Sequence, residues 1–151
     1  MEKTDVLVIG SGIAGLSFAI KIAEARSDIS VRILTKSNPY ESNTFHAQGG
    51  IAVVLNKLED SFEQHIEDTL QAGRGLCNRE VVEMVVKQAP ERLEELINWG
   101  TSFDADKKGK LELGLEGGHS QKRIVHQKDF TGSEIETKQP QSSYIQLPKT
   151  G

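Results

Sequence analysis

Val6-Leu7-Val8-Ile9 is an unbroken apolar run, the pattern of a parallel strand buried on both faces. Gly10-Ser11-Gly12-Ile13-Ala14-Gly15 follows at once, and Leu16, Ala19, Ile20 and Ala23 then recur at helical spacing to about Arg26. A second strand is predicted over residues 30–34, and right-handed crossover sets it parallel to the first. Residues 37–56 differ in texture: Ser37-Asn38-Pro39 breaks the chain, and residues 42–50 are small, polar and glycine-ended, as suits backbone lying against a ligand. Asp60 with Glu63 resembles a capping box for a helix with Phe62, Ile66 and Leu70 on one face, stopped by Gly73. Asn78 is placed to cap another helix with Val81, Val82, Val85, Val86 and Ala89 inward; Pro90 is expected to interrupt it before Leu93, Leu96 and Ile97 continue the stripe. Residues 104–110 read as a polar turn, 111–115 as a short alternating strand, and 116–120 as a second tight segment. A helix opening at Ser133-Glu134-Ile135-Glu136 is expected to stop after one turn, ahead of Pro140, and no repeat is visible.

The pattern is that of an α/β chain opening on a dinucleotide-binding βαβ unit, and composition narrows what it does. With 151 residues, 36% hydrophobic and 14 glycines, the chain is long enough for a core and too apolar for wholesale disorder. A net charge of -4 with no basic block argues against nucleic acid. One cysteine, Cys77, makes no internal disulfide, which favours a reducing cytoplasm. Residues 6–20 are uncharged and lead to Ala23-Glu24-Ala25, loosely like a secretory signal, but the flanking Glu2, Lys3 and Asp5 are net acidic. The run is also too short and glycine-rich to span a bilayer, so neither export nor a membrane partner is expected.

The chemistry concentrates in two loops. In the first, Gly10 permits a tight turn out of the strand, Gly12 lets a pyrophosphate approach the backbone, and Gly15 allows close helix–strand packing, with the helix N-terminus turned to the phosphates. The acidic residue that normally ends the second strand is replaced by Thr35-Lys36. Lys36 is placed to meet a phosphate or ribose oxygen, a 2′-phosphate of NADP, or solvent alone. In the second loop Thr44 and Gln48 offer side-chain donors and Gly49-Gly50 offers backbone N–H groups to a flat heterocycle; a plain surface loop fits the composition equally. Asp104-Ala105-Asp106-Lys107-Lys108-Gly109 starts like a calcium loop, but Lys108 and Leu115 stand at ligand positions. His46, His65, His119, His126 and Cys77 have no metal-ligand spacing, and no metal is expected. Leu147-Pro148-Lys149-Thr150-Gly151 resembles a sortase signal without the apolar segment and basic tail that follow one.

The glycine loop followed by Ser42-Asn43-Thr44-Phe45-His46-Ala47-Gln48-Gly49-Gly50-Ile51-Ala52 resembles the flavoprotein family of succinate dehydrogenases, fumarate reductases and L-aspartate oxidases. Glu116-Gly117-Gly118-His119-Ser120, Arg123-Ile124-Val125-His126 and Asp129-Phe130-Thr131-Gly132 are most similar to the L-aspartate oxidase branch. The resemblance implies the first part of a Rossmann-like FAD-binding domain over residues 1–136 and an atypical, disordered tail over 137–151. In the respiratory branch a histidine between the serine and threonine bonds FAD; Asn43 stands there, and His46 is not its match, so non-covalent FAD is implied. By resemblance Gly10, Ser11, Gly12, Ile13, Ala14 and Gly15, then Lys36, then Asn43, Thr44, Phe45, His46, Ala47, Gln48, Gly49 and Gly50 hold FAD. Glu116 orients the substrate ammonium, and His119 lines the same pocket. The implied reaction is oxidation of L-aspartate to iminoaspartate for NAD biosynthesis, with oxygen or fumarate as acceptor and quinolinate synthase as a functional neighbour. The alternatives are a fumarate reductase or succinate dehydrogenase flavoprotein and a non-catalytic FAD-binding remnant. Because the family's catalytic arginine and capping domain are not in these residues, the stretch is expected to be a fragment that binds FAD weakly and turns nothing over by itself.

Overall fold

The computed structural model describes residues 3–36, 38 and 40–138. In chain order their elements are β1 (Val6–Ile9), α1 (Ile13–Ala25), β2 (Val31–Leu34), β3 (Ile51–Ala52), α2 (Phe62–Ala72), α3 (Arg79–Asn98), β4 (Leu113–Gly114), β5 (Ile124–Val125) and α4 (Thr131–Lys138). They form two compact units, the first from described residues within 1–48, 99–102 and 130–151, the second from 49–98 and 103–129.

In the first unit β1 and β2 pair in parallel, Val6 opposite Val31 through Ile9 opposite Leu34, as the βαβ pattern predicts. Helix α1 lays Leu16 and Ala19 on Val8 and Ile33, with Val6 and Val31 at the margin. The Asp5 carboxylate accepts the Ser30 N–H and O–H at one end of the ribbon, and the Gly10 N–H donates to Leu34 at the other. Burial on both faces does not hold for β1. Alternation sends Val8 under α1 but turns Leu7 and Ile9 the other way, where they are 52% and 81% exposed. Helix α4 is also longer than expected: it starts at Thr131, and Thr137 and Lys138 are helical. Burial of Ile135 and Glu136 and the bond from the Thr137 hydroxyl to the Ser133 carbonyl at 2.7 Å sustain a second turn that propensity alone does not favour. Pro140 and the rest of the tail, 139–151, lie outside the described residues.

In the second unit β5 is the middle strand of an antiparallel sheet, flanked by β3 and β4. The strand expected over 111–115 is confined to two residues, with Leu115 exposed. Helix α2 packs on α3. The cap of α2 is Ser61, whose hydroxyl accepts the Gln64 N–H at 3.1 Å, and not Asp60, whose carboxylate is taken by Arg123. Helix α3 runs unbroken through Pro90. Proline removes the bond to the Val86 carbonyl, but burial of Val86, Leu93 and Leu96 on either side holds the helix together. Asn78 accepts the Val81 N–H at 3.3 Å as expected, but Val81 and Val85 fall on the outer face and are half exposed. No described helix is long and apolar enough to cross a membrane.

Candidate functional site

The glycine loop joins β1 to α1 with the geometry its sequence requires. Gly10 has φ +108°, a conformation side chains disfavour, and turns the chain sharply out of β1. A Cβ on Gly15 would collide with the Gly10 carbonyl and press on Val8, so only glycine lets α1 start this close to β1. At Gly12 a Cβ would meet only the Thr44 hydroxyl at 3.4 Å, leaving the approach to this backbone open. No side chain of the loop caps α1 and no acidic residue sits in its first turn, so its partial positive charge is left for an anion. Ser11 is buried, with its hydroxyl on Thr35. Lys36 is exposed just past β2.

The turn over residues 42–48 is carried onto this helix start. The Thr44 hydroxyl accepts the Ile13 N–H at 3.1 Å and keeps its own proton to donate. The turn is fixed from within by the Phe45 N–H on the Ser42 hydroxyl at 3.0 Å and the Ala47 N–H on the Thr44 carbonyl at 3.0 Å. The structure thus brings together two of the predicted groups, 10–15 and 43–48. Asn43, His46 and Gln48 are exposed, and the Phe45 ring lies edge-on to the His46 ring.

Gly49, Gly50, Glu116 and His119 belong to the second unit. Gly50 serves packing: a Cβ would overlap Ile124 and the Val125 carbonyl, whereas Gly49 is open. Glu116 is exposed at the head of a turn closed by the His119 N–H on its carbonyl at 3.2 Å, with Gly118 at φ +85°. His119 is half buried, its Nδ1 without a partner and its ring 5.6 Å from that of His65. Burial, then the charges of Arg123 and His119, push the buried His65 below its ordinary value, so its ring is neutral at physiological pH.

Sequence reasoning missed what holds this turn. Arg123 is fully buried and donates two parallel bonds to Asp60, at 2.8 and 2.7 Å, and a third to Asp68 at 2.7 Å. The same Asp68 oxygen accepts the Ser120 N–H and O–H at 2.9 and 2.6 Å, which ties the end of the 116–120 turn to α2. Burial alone would raise the Asp68 carboxyl, but the bonds from Ser120 and Arg123 outweigh it and hold it down to about 2. A charged residue between Lys122 and the apolar pair Ile124-Val125 was the available signal, since an arginine at an inward strand position needs acidic partners. Glu136 was missed similarly: it is 1% exposed and its carboxylate accepts the Ser42 hydroxyl at 2.8 Å.

The arrangement matches known proteins. A family model described as an FAD binding domain matches residues 5–139. The chain is 51% identical over 132 residues to L-aspartate oxidase 2-b, chloroplastic, of Nicotiana tabacum, covering 87% of this chain and 20% of that protein. It is 45% identical over 138 residues to the L-aspartate oxidase of Yersinia pestis, covering 89% of this chain and 25% of that one. Among solved structures the E. coli quinol fumarate reductase FrdA superposes with a TM-score of 0.85 at 31% identity, covering 95% of this chain and 25% of that chain. The chain therefore spans a fifth to a quarter of the length of these relatives.

Proposed function

The chain belongs to the FAD-binding domain family, and from that premise we propose that it holds FAD without a covalent bond and serves the oxidation of L-aspartate to iminoaspartate. The observation that carries the reading is the Thr44 hydroxyl on the Ile13 N–H, which sets a donor-rich turn beside a helix start with no acidic residue in its first turn and an open glycine backbone. FAD fits such a cradle: its phosphates match the helix N-terminus, where a Cβ on Gly12 would narrow the approach. When bound, FAD supplies the two-electron acceptor; residues 10–15 and 43–50 with Lys36 bind it. Glu116, exposed and held by its turn, orients the substrate ammonium, and a carboxylate there disfavours dicarboxylates without an amine. His119 lines the same pocket. The product feeds NAD biosynthesis through quinolinate synthase, and the location is cytoplasmic, although the tobacco relative is named chloroplastic.

The similarity to a fumarate reductase supports a second reading, a fumarate reductase or succinate dehydrogenase flavoprotein. Asn43 in place of a histidine and the higher identity to L-aspartate oxidases favour the first. The test is to isolate the protein that carries this chain, precipitate it with acid and assay the supernatant for flavin and the native protein for turnover. All flavin in the supernatant, with L-aspartate and not succinate oxidised, is the expected result. Flavin retained in the precipitate sinks the first reading, and absence of flavin sinks both. Thr44→Val, which keeps the shape but removes the hydroxyl, is expected to weaken FAD binding about tenfold, the loss of one hydrogen bond.

A further inference from the structure

Helix α4 touches the 42–48 turn at two points. The Gly132 N–H donates to the Ala47 carbonyl at 3.0 Å, and a Cβ on Gly132 would collide with the Thr44 and Ala47 carbonyls, so the helix start is pressed against the turn. One turn of helix later, Glu136 accepts the Ser42 hydroxyl at 2.8 Å through one oxygen, while its other oxygen is buried without a hydrogen-bond partner. The two contacts bracket residues 43–46, and Thr44 between them reaches the start of α1. A buried carboxyl with a single side-chain bond is an unfavourable way to fill space. What it does must lie in that bond, because Ser42 passes it on: the same hydroxyl accepts the Phe45 N–H that shapes the turn.

We propose that Glu136 is the positioning residue of the 42–48 turn: from α4 its carboxyl fixes the Ser42 hydroxyl, and through it the backbone that presents Asn43 to Gln48 to the flavin. The inference rests on the reading of that turn as a flavin contact. It adds a state dependence to the turn. Burial pushes the Glu136 carboxyl above its ordinary value, against the Ser42 bond, the His46 charge and the Phe45 N–H. The charge acting on it is that of His46, in the turn itself, and α1 also packs on α4. A group raised in the folded state stabilises fully below the ordinary carboxylate range and loses that contribution as pH rises through its raised value. The folded state is therefore favoured with Glu136 protonated because of its burial, while the Ser42 bond itself is stronger to the carboxylate.

Amide hydrogen exchange on the intact protein reads this directly. Glu136→Leu is expected to lower protection of the Phe45 and Ala47 amides about tenfold, as for loss of one hydrogen bond, with β1 and β2 amides unchanged. Glu136→Gln, which keeps an acceptor but cannot ionise, is expected to restore protection. It should also abolish the fall in protection and FAD affinity that the wild type shows as pH rises through the raised value of the Glu136 carboxyl. Unchanged protection in Glu136→Leu, or the wild-type pH profile in Glu136→Gln, overturns the proposal. If Glu136→Leu does not fold, Ser42→Ala replaces it: the same loss is expected at Phe45, and unchanged protection there overturns the proposal equally. A protein that binds no flavin refutes the functional reading, while the exchange measurements still decide the role of Glu136.

Discussion

Replacing Arg123 with methionine tests the account of how the 116–120 turn is held. The substitution keeps most of the side-chain volume and deletes three charge-assisted bonds. The two acceptors differ in what they lose. Asp60, 3% exposed in its side chain, loses both Arg123 bonds and keeps only the Ser61 N–H at 2.9 Å, so a nearly unpaired carboxylate is left in the interior. Asp68 is 16% exposed and keeps both Ser120 bonds. Removing one partner of a buried pair costs about 3–5 kcal/mol, and the second, partly hydrated contact adds no more than about 1 kcal/mol. The expected loss of about 4 kcal/mol is a large part of the roughly 5–15 kcal/mol that stabilises a domain. Urea denaturation followed by far-ultraviolet circular dichroism measures it. Replacing Asp60 as well, in Arg123→Met/Asp60→Leu, removes the orphaned charge and should recover most of the loss. A loss under about 1 kcal/mol in Arg123→Met, or a double variant no better than the single one, refutes the reasoning.

Gly15→Ala sets helix propensity, which favours alanine by about 1 kcal/mol, against a Cβ colliding with the Gly10 backbone, which cannot rotate away; overpacking of this kind costs about 1–3 kcal/mol or more. A net loss of stability and of FAD affinity is expected in denaturation and flavin titration, and a stabilised variant would refute the close-packing role. On acid titration two steps are expected. His65, lowered in the folded state, contributes fully above about 6.5 and loses its contribution as pH falls through its depressed value; Asp68 does the same from about 4 down through about 2. Thermal melts across pH measure both, with His65→Gln removing the first step and Asp68→Asn reducing the second, to which the lowered Asp5, Asp28 and Asp104 also contribute; variants that leave the profile unchanged would refute the assignment.

The βαβ unit and its glycine loop were legible because their causes are local. An apolar run, three glycines and a helical stripe fix a strand, a turn and a helix within 20 residues of chain, and two of the glycines do what their positions predict, Gly10 by φ and Gly15 by contact. The 42–50 segment was legible in texture, but its sharing of work was not: Thr44 accepts the first N–H of α1, while Gly50 serves β5. Local signals misled where a distant partner overrode them. Asp60 reads as a cap and is claimed by Arg123, 63 residues away, so Ser61 caps instead; Pro90 reads as a break and is carried through by the buried side chains around it; Ser133 reads as the start of an abortive turn and lies inside a helix anchored by Ile135 and Glu136.

By itself, the sequence determined the α/β class, the glycine loop and which residues carry polar chemistry, because periodicity and backbone sterics act over a few residues. Only the tertiary structure decided which charges are buried and against what. Arg123 with Asp60 and Asp68, and Glu136 with Ser42, 94 residues apart, depend on packing that removes water from both partners at once, and no spacing along the chain encodes that.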